Sequence, residues 1–421
     1  MNHTKIPAGL GIAALLVSGT LASRHAGEMV HGRNRASADT LTPSGLLDIL
    51  LQKENLPIID RDSEALRLRR FGVDPDTLAS CERGSSSPRE PRIFTFWVCL
   101  LDKQLEPALT VRRIVLPSQL VDGVVRSACY NATTYPLAYR DSLPTQWLVA
   151  MDIGLELFVG ELAKVAALAT PIQRESGMVR INLNTQSLEQ QLELVPQVDT
   201  FLTTLILGRL LATPTVRQTS IPIDSLRVPL VARTLVAGET FVYAHELGHV
   251  VLRHRGAKVD MLAENESTRS TRGHMSDSTN LFQLHELAAD SFGADLTGAA
   301  IRQRELKEVQ SQSIAGIDLF FTWAALFDSA VAVVRGPNAL GVDHPPAEER
   351  RMRVRQLLTA TGLMPVGEDF GEAYHRVMMN LWNTRVRSRF LRNRALLSRA
   401  IDADTNALNC LACKYTDRRC A

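Results

Sequence analysis

The chain has 421 residues, 45% of them hydrophobic and 22% charged, with a formal net charge of +2. That composition is an ordinary globular one and excludes collagenous, low-complexity and multi-span membrane chains. So small a net charge gives no reason to expect a specific nucleic-acid partner, and six dispersed cysteines are too few for a disulfide-built scaffold.

From the N-terminus, Ile6 to Ala22 is an apolar run behind Lys5 that is similar to a signal-peptide core or a short membrane anchor. Pro7, Gly9, Gly11 and Gly19 interrupt it, and Arg24, Arg33 and Arg35 form a flank that disfavours export. A cytoplasmic location is therefore the expectation for the chain, with residues 1–26 as signal or anchor, and membrane association through residues 6–22, as the alternative. Residues 27–140 read as a mixed α/β region, with a helical pattern at Ser44 to Gln52 and a turn-rich loop at Arg83 to Pro91. Two strands are predicted at Ile93 to Leu101 and Thr110 to Leu116, which are rich in β-branched and aromatic residues. From Trp147 onward the apolar segments lengthen, and Trp147 to Leu168, Val198 to Ala212 and Thr234 to His254 are each long enough for a helix. Ile314 to Val334 is equally apolar, yet Asp318 and Asp328 inside it favour a core helix over a membrane span. The predicted fold class is mainly α (α+β overall), with a helical domain over 141–365 and a basic helical extension over 366–421.

Two histidines stand four apart in Val242-Tyr-Ala-His245-Glu246-Leu-Gly-His249-Val-Val251, inside a periodic stretch with Gly256 as its expected stop. On a helix they share one face, about 6 Å apart along the axis, so both rings can reach a single ion at about 2.0–2.1 Å. Glu246 then lies beside that ion, where a carboxylate can take a proton from a metal-activated water and return it to a leaving amine. An isolated H-E-x-x-H also arises by chance on ordinary helices. Here its neighbours are apolar and Gly248 permits close approach of another backbone, so three polar side chains sit in an otherwise buried helix, which is costly without a partner.

A catalytic site of this type needs a third protein ligand. The next strong helical pattern, Leu281 to Ala294, offers Glu286 as ligand, and Asp290, four residues on, shares its face and can bond the free nitrogen of a ligand histidine. The small residues Ala288, Ala289, Gly293 and Ala294 suit tight helix packing. His285 lies about 100° round from Glu286 and is left out of the ligand set. The bland alternative is an acidic first turn complementing a helix dipole.

The pairing of H-E-L-G-H at 245–249 with E-L-A-A-D at 286–290 resembles the gluzincin zinc metallopeptidases of the HtpX and CAAX-prenyl-protease group. Asp343-His344-Pro345-Pro346 followed by Glu349-Arg350 is similar to a downstream segment of that group. The resemblance covers about residues 235–360. It implies a zincin-like hydrolase core that binds Zn2+ through His245, His249 and Glu286, uses Glu246 as general base and acts on a peptide or protein substrate. It further implies that Asp290 supports the site, that His344 stabilises the oxyanion and that Arg350 pairs with site carboxylates. The transmembrane helices of that group's membrane members are missing, so soluble Lit-type peptidases are a competing home. A different class of reading remains beside these, a non-catalytic, metal-stabilised interaction or regulatory protein.

Near the C-terminus, His375 to Arg399 places seven arginines among Met378, Leu381, Trp382, Phe390 and Leu396, a basic amphipathic pattern. Its plainest reading is a solvated face, and an acidic partner, a membrane surface or nucleic acid are the alternatives. Cys410 and Cys413 supply only half of a four-ligand zinc knuckle.

Overall fold

The computed structural model describes residues 93–117, 120–125, 133–140, 143–175, 178–211, 221–253, 275–337, 345–364 and 369–403. The segments at 6–22, 44–52 and 83–91, together with His254, Gly256, His344, Cys410 and Cys413, lie outside them.

The first described element is helix α1 (Ile93–Arg112), which replaces the strand predicted at Ile93 to Leu101 and the start of the one predicted at Thr110 to Leu116, the rest of which is a turn and irregular chain. Val98, Leu101, Leu105 and Ala108 recur three or four apart and are all buried, whereas Glu106 and Thr110 are exposed. A helical burial stripe overrides residue-type preference for strands, which spans only about 1 kcal/mol. Strands follow instead in β1 (Leu120–Val125), β2 (Thr133–Arg140) and β3 (Leu143–Asp152). They form a sheet of order β1-β3-β2, with β1 parallel and β2 antiparallel to β3, in the register Leu120 to Trp147 and Tyr135 to Leu148. Trp147 to Met151 are buried without alternation. A strand covered on both faces reads as a continuous apolar run, which is why Trp147 to Asp152 had the look of a helix.

The chain then passes directly into α2 (Ile153–Leu168) and a two-stranded hairpin of β4 (Ile172–Glu175) and β5 (Met178–Ile181). Helix α3 (Thr185–Leu194) starts at Asn184, whose side chain accepts from the Ser187 N–H at 2.8 Å, and α4 (Val198–Leu210) follows. The remaining elements are α5 (Val228–Val251), α6 (Met275–Arg304), α7 (Lys307–Arg335), α8 (Ala347–Ala360) and α9 (Phe370–Leu381). A π-helical turn at Trp382–Val386 then leads to α10 (Arg387–Arg392) and α11 (Arg394–Ala403). Most of the described residues are helical and few lie in strands, so the fold is mainly α.

Helix α5 is the axis of the fold, flanked by α6 and α7 and buried along nearly all of its 24 residues. A helix apolar all round has no solvent face to offer and must be enclosed. On the α7 side the backbones touch, because a Cβ on Gly316 would lie 2.2 Å from the Thr234 carbonyl oxygen and 2.6 Å from Gly238 N. Helix α7 is long and apolar enough to cross a membrane, yet most of it is buried against α5, α8 and α9, and its Asp318 bonds Arg351 and Arg355 of α8. The C-terminal segment is tied in as well. Phe370, Trp382, Phe390 and Ile401 belong to the same hydrophobic cluster as Val98 and Leu235, and Arg389 pairs with Asp199 of α4.

Candidate metal centre

Helix α5 ends at Val251, before the expected stop at Gly256, because Arg253 adopts a left-handed φ of 55° and turns the chain away. Its last two turns carry His245 and His249 on one side, with Nε2 atoms 3.1 Å apart. Helix α6 lies across them and brings Glu286 to face both rings. Glu286 Oε2 is 3.6 Å from His245 Nε2, and Glu286 Oε1 is 3.4 Å from His249 Nε2.

This closeness depends on two glycines. A Cβ on Gly293 of α6 would sit 2.9 Å from His245 N and 3.1 Å from its Cα, and a Cβ on Gly248 of α5 would sit 3.1 Å from Ala289 Cα. A larger side chain at either position would force the helices apart and lift Glu286 away from the rings. The small residues noted in both motifs therefore act on the site through backbone approach.

The three donor atoms fit a metal ion. Ligands at about 2.0–2.1 Å from a tetrahedral ion are separated by roughly 3.3 Å, and here the ring nitrogens are 3.1 Å apart, each ring nitrogen is 3.4 or 3.6 Å from one oxygen of the Glu286 carboxylate, and one donor atom from each residue lies within 4.8 Å of the others. Among the described residues, His245, His249 and Glu286 form the one group of this kind.

Behind the donors lies a supporting layer. Asp290, one turn after Glu286 and almost wholly buried, has Oδ1 2.9 Å from His245 Nδ1, although the ring N–H is not well aligned with it. Arg350, from the first turn of α8, clamps Asp290 with two bonds of 2.7 Å, and its Nη2 is also 3.2 Å from Glu286 Oε2. The guanidinium packs 5.6 Å over the Phe321 ring, and Phe241 stands 6.3 Å from the His245 ring, so the layer is walled by aromatic carbon.

The electrostatics follow from that burial. Burial alone would push the Asp290 carboxyl up, but Arg350, seconded by His245, holds it below the ordinary carboxylate value. Arg350 is raised in turn, because Asp290 and Glu286 outweigh the desolvation that would lower it. For His249, burial favours the neutral ring, and the bond to Glu286, with further help from Glu246 and Asp290, reverses this and raises it. His285, one residue before Glu286, is lowered by burial and by the charge of His249. Glu246 is itself buried on α5, near enough to His249 to act on its charge.

The predicted site residues His245, Glu246, His249, Glu286 and Asp290 thus lie together, and Arg350 joins them with the carboxylate pairing that the family resemblance implied. The aromatic walls were missed, because Phe241 and Phe321 carry no signal beyond being apolar. Open space lies along α6, in a cavity that none of the donor residues lines. It is a groove of about 490 Å³, where Leu284, Leu287, Ala288 and Ser291 face Leu357 and Ala360 of α8. Leu287 and Ser291 directly follow Glu286 and Asp290, which sets the groove on the neighbouring face of α6. In comparisons with known proteins, no family model matches the chain, and no curated protein or solved structure does.

Proposed function

We propose that the chain is a zinc-dependent metallopeptidase of the gluzincin kind with a zincin-like helical core, in which His245, His249 and Glu286 hold one Zn2+. The observation that carries this reading is the convergence of two ring nitrogens 3.1 Å apart on one carboxylate, whose two oxygens lie 3.6 Å from His245 Nε2 and 3.4 Å from His249 Nε2, since three protein donors so gathered leave a fourth position for water or substrate. Zinc held there supplies Lewis acidity to the scissile carbonyl and to an attacking water.

The chain's own groups do the rest. Glu246 takes the proton from the attacking water and delivers it to the departing amine, a role for which its place beside His245 and its burial suit it. Asp290 fixes the His245 ring through Nδ1, which keeps Nε2 directed at the ligand position. Arg350 keeps Asp290 ionised and holds Glu286 in place. His344, by the resemblance, donates to the developing oxyanion. The substrate is a peptide or protein chain, and an apolar side chain of it suits the groove between α6 and α8.

The test is metal content, measured on the parent, Glu246→Gln and His249→Ala, with each protein assayed on a broad peptide library. One zinc per chain in the parent and in Glu246→Gln, none in His249→Ala, and a loss of roughly 10²–10⁴ in cleavage rate for Glu246→Gln are the expected results. Stoichiometric metal with no cleavage by the parent would replace this reading with a metal-stabilised interaction protein. No metal at all would end both.

A further inference from the structure

We propose that helices α10 and α11 form a docking surface for an anionic phospholipid membrane. Between Arg376 and Ile401 the chain has seven arginines and no acidic residue. Four of them are engaged by the fold: Arg376 and Arg385 donate to the Leu183 and Leu192 carbonyls, Arg389 pairs with Asp199, and Arg394 donates to the Val334 carbonyl. The other three, Arg387, Arg392 and Arg399, are exposed and pair with no acidic residue among those described. The nearest acid along the chain, Asp402, is engaged by Arg335 at 2.6 Å.

The same surface carries Leu391 and Leu396, 48% and 60% exposed, although Phe390, Leu397 and Ile401 already satisfy the inner face of these helices. Arginines interleaved with leucines on an outer face match a helix lying in a membrane interface, with guanidinium groups on lipid phosphates and leucines in the acyl boundary. Nucleic acid fits less well. Its single strands are gripped by exposed rings on which bases stack, and both rings of this segment, Trp382 and Phe390, are buried. Lasting attachment generally takes two weak signals, and in its reading as an anchor the apolar run Ile6 to Ala22 would supply the second.

The surface is remote from the metal centre. Helix α7 runs from Phe321, under Arg350, to Arg335, beside α11, which at about 1.5 Å per residue is about 20 Å. A bound membrane would leave the donor cluster clear.

The experiment is sedimentation of the full chain with vesicles of phosphatidylcholine, alone or mixed with phosphatidylserine, beside the triple variant Arg387→Gln, Arg392→Gln, Arg399→Gln and the double variant Leu391→Ser, Leu396→Ser. Expected is preferential binding to the anionic vesicles, weakened by salt and reduced roughly fivefold per arginine, about a hundredfold in the triple variant. The leucine variant should also bind less while keeping the parent's salt dependence. Equal binding to both vesicles, unchanged in all variants, would assign attachment to the apolar run and overturn the proposal. Arginine-dependent binding to a single-stranded oligonucleotide without vesicle preference would overturn it in favour of nucleic acid. Because all five residues are exposed, unaltered thermal unfolding of the variants is the control.

Discussion

Two adjacent residues of α8 serve two different charge clusters, the second partly open to solvent at Asp369 and Glu372. Arg350 reaches the donor cluster of α5 and α6, while Arg351, about 100° further round, meets Asp318 of α7 at 3.2 Å and Glu372 of α9 at 2.9 Å. One turn later Arg355 joins Asp318 at 2.8 Å and pairs with Asp369. In this second cluster every carboxylate meets a guanidinium, so the network is closed and its charges are spent on each other. In the first, two ring nitrogens and a carboxylate converge on one point after Arg350 has made its bonds. Buried charge is common to both, and only the convergence of donors marks chemistry.

The sharpest way to break the comparison is Asp290→Ala, which leaves the Arg350 guanidinium buried without its bidentate partner. Denaturant unfolding should show a loss of about 3–5 kcal/mol, and metal titration a weakening of about 10–100-fold. A stability loss with unchanged affinity would make Asp290 a structural residue like Asp318.

Asp318→Asn is the matching change in the closed cluster. Burial raises the Asp318 carboxyl against the pull of Arg355 and Arg351, and these arginines keep Glu348, Glu372 and Asp369, so the variant should lose less stability than Asp290→Ala while metal content stays at that of the parent. Loss of metal in this variant would show that the two clusters are coupled through α8.

The smallest effect belongs to Asp369. Burial raises its carboxyl, but the bond to Arg355 outweighs this and holds it below 3.8. A depressed carboxyl contributes stability above pH 3.8 that is lost as pH falls through the lowered value. Asp369→Asn keeps the cap on the Glu372 N–H but removes the charge, so the variant should be less stable at neutral pH and should lose less on acidification. The difference should be at most about 1 kcal/mol, since the pair is partly open to solvent. Urea titrations at neutral and acidic pH would measure it.

The closed cluster was not foreseen from the sequence, and the reason is plain in its residues. Asp318, Arg351, Asp369 and Glu372 come from three helices at irregular separations, and each alone has the look of a surface charge. Only Asp318 stood out, as a charge inside an apolar run. The donor cluster was legible because His245 and His249, like Glu286 and Asp290, are related by a single helical turn, so each pair could be placed on one face without knowing the fold. The strands were misplaced for the opposite reason, since Ile93 to Leu101 and Trp147 to Asp152 differ in what covers them and not in local pattern.

The sequence by itself determined the mainly helical class, the helices that carry the donors and the shared face of each donor pair, because all three follow from periodicity within a few residues. Tertiary structure decided which apolar runs became strands, how far α6 slides along α5 before Gly248 and Gly293 let the backbones touch, and which arginine meets which carboxylate. The Arg350 to Asp290 clamp joins residues 60 positions apart, and its partner is selected by packing, where an unpaired buried charge costs several kcal/mol. No local pattern encodes that selection, because the penalty exists only once the surrounding helices have excluded water.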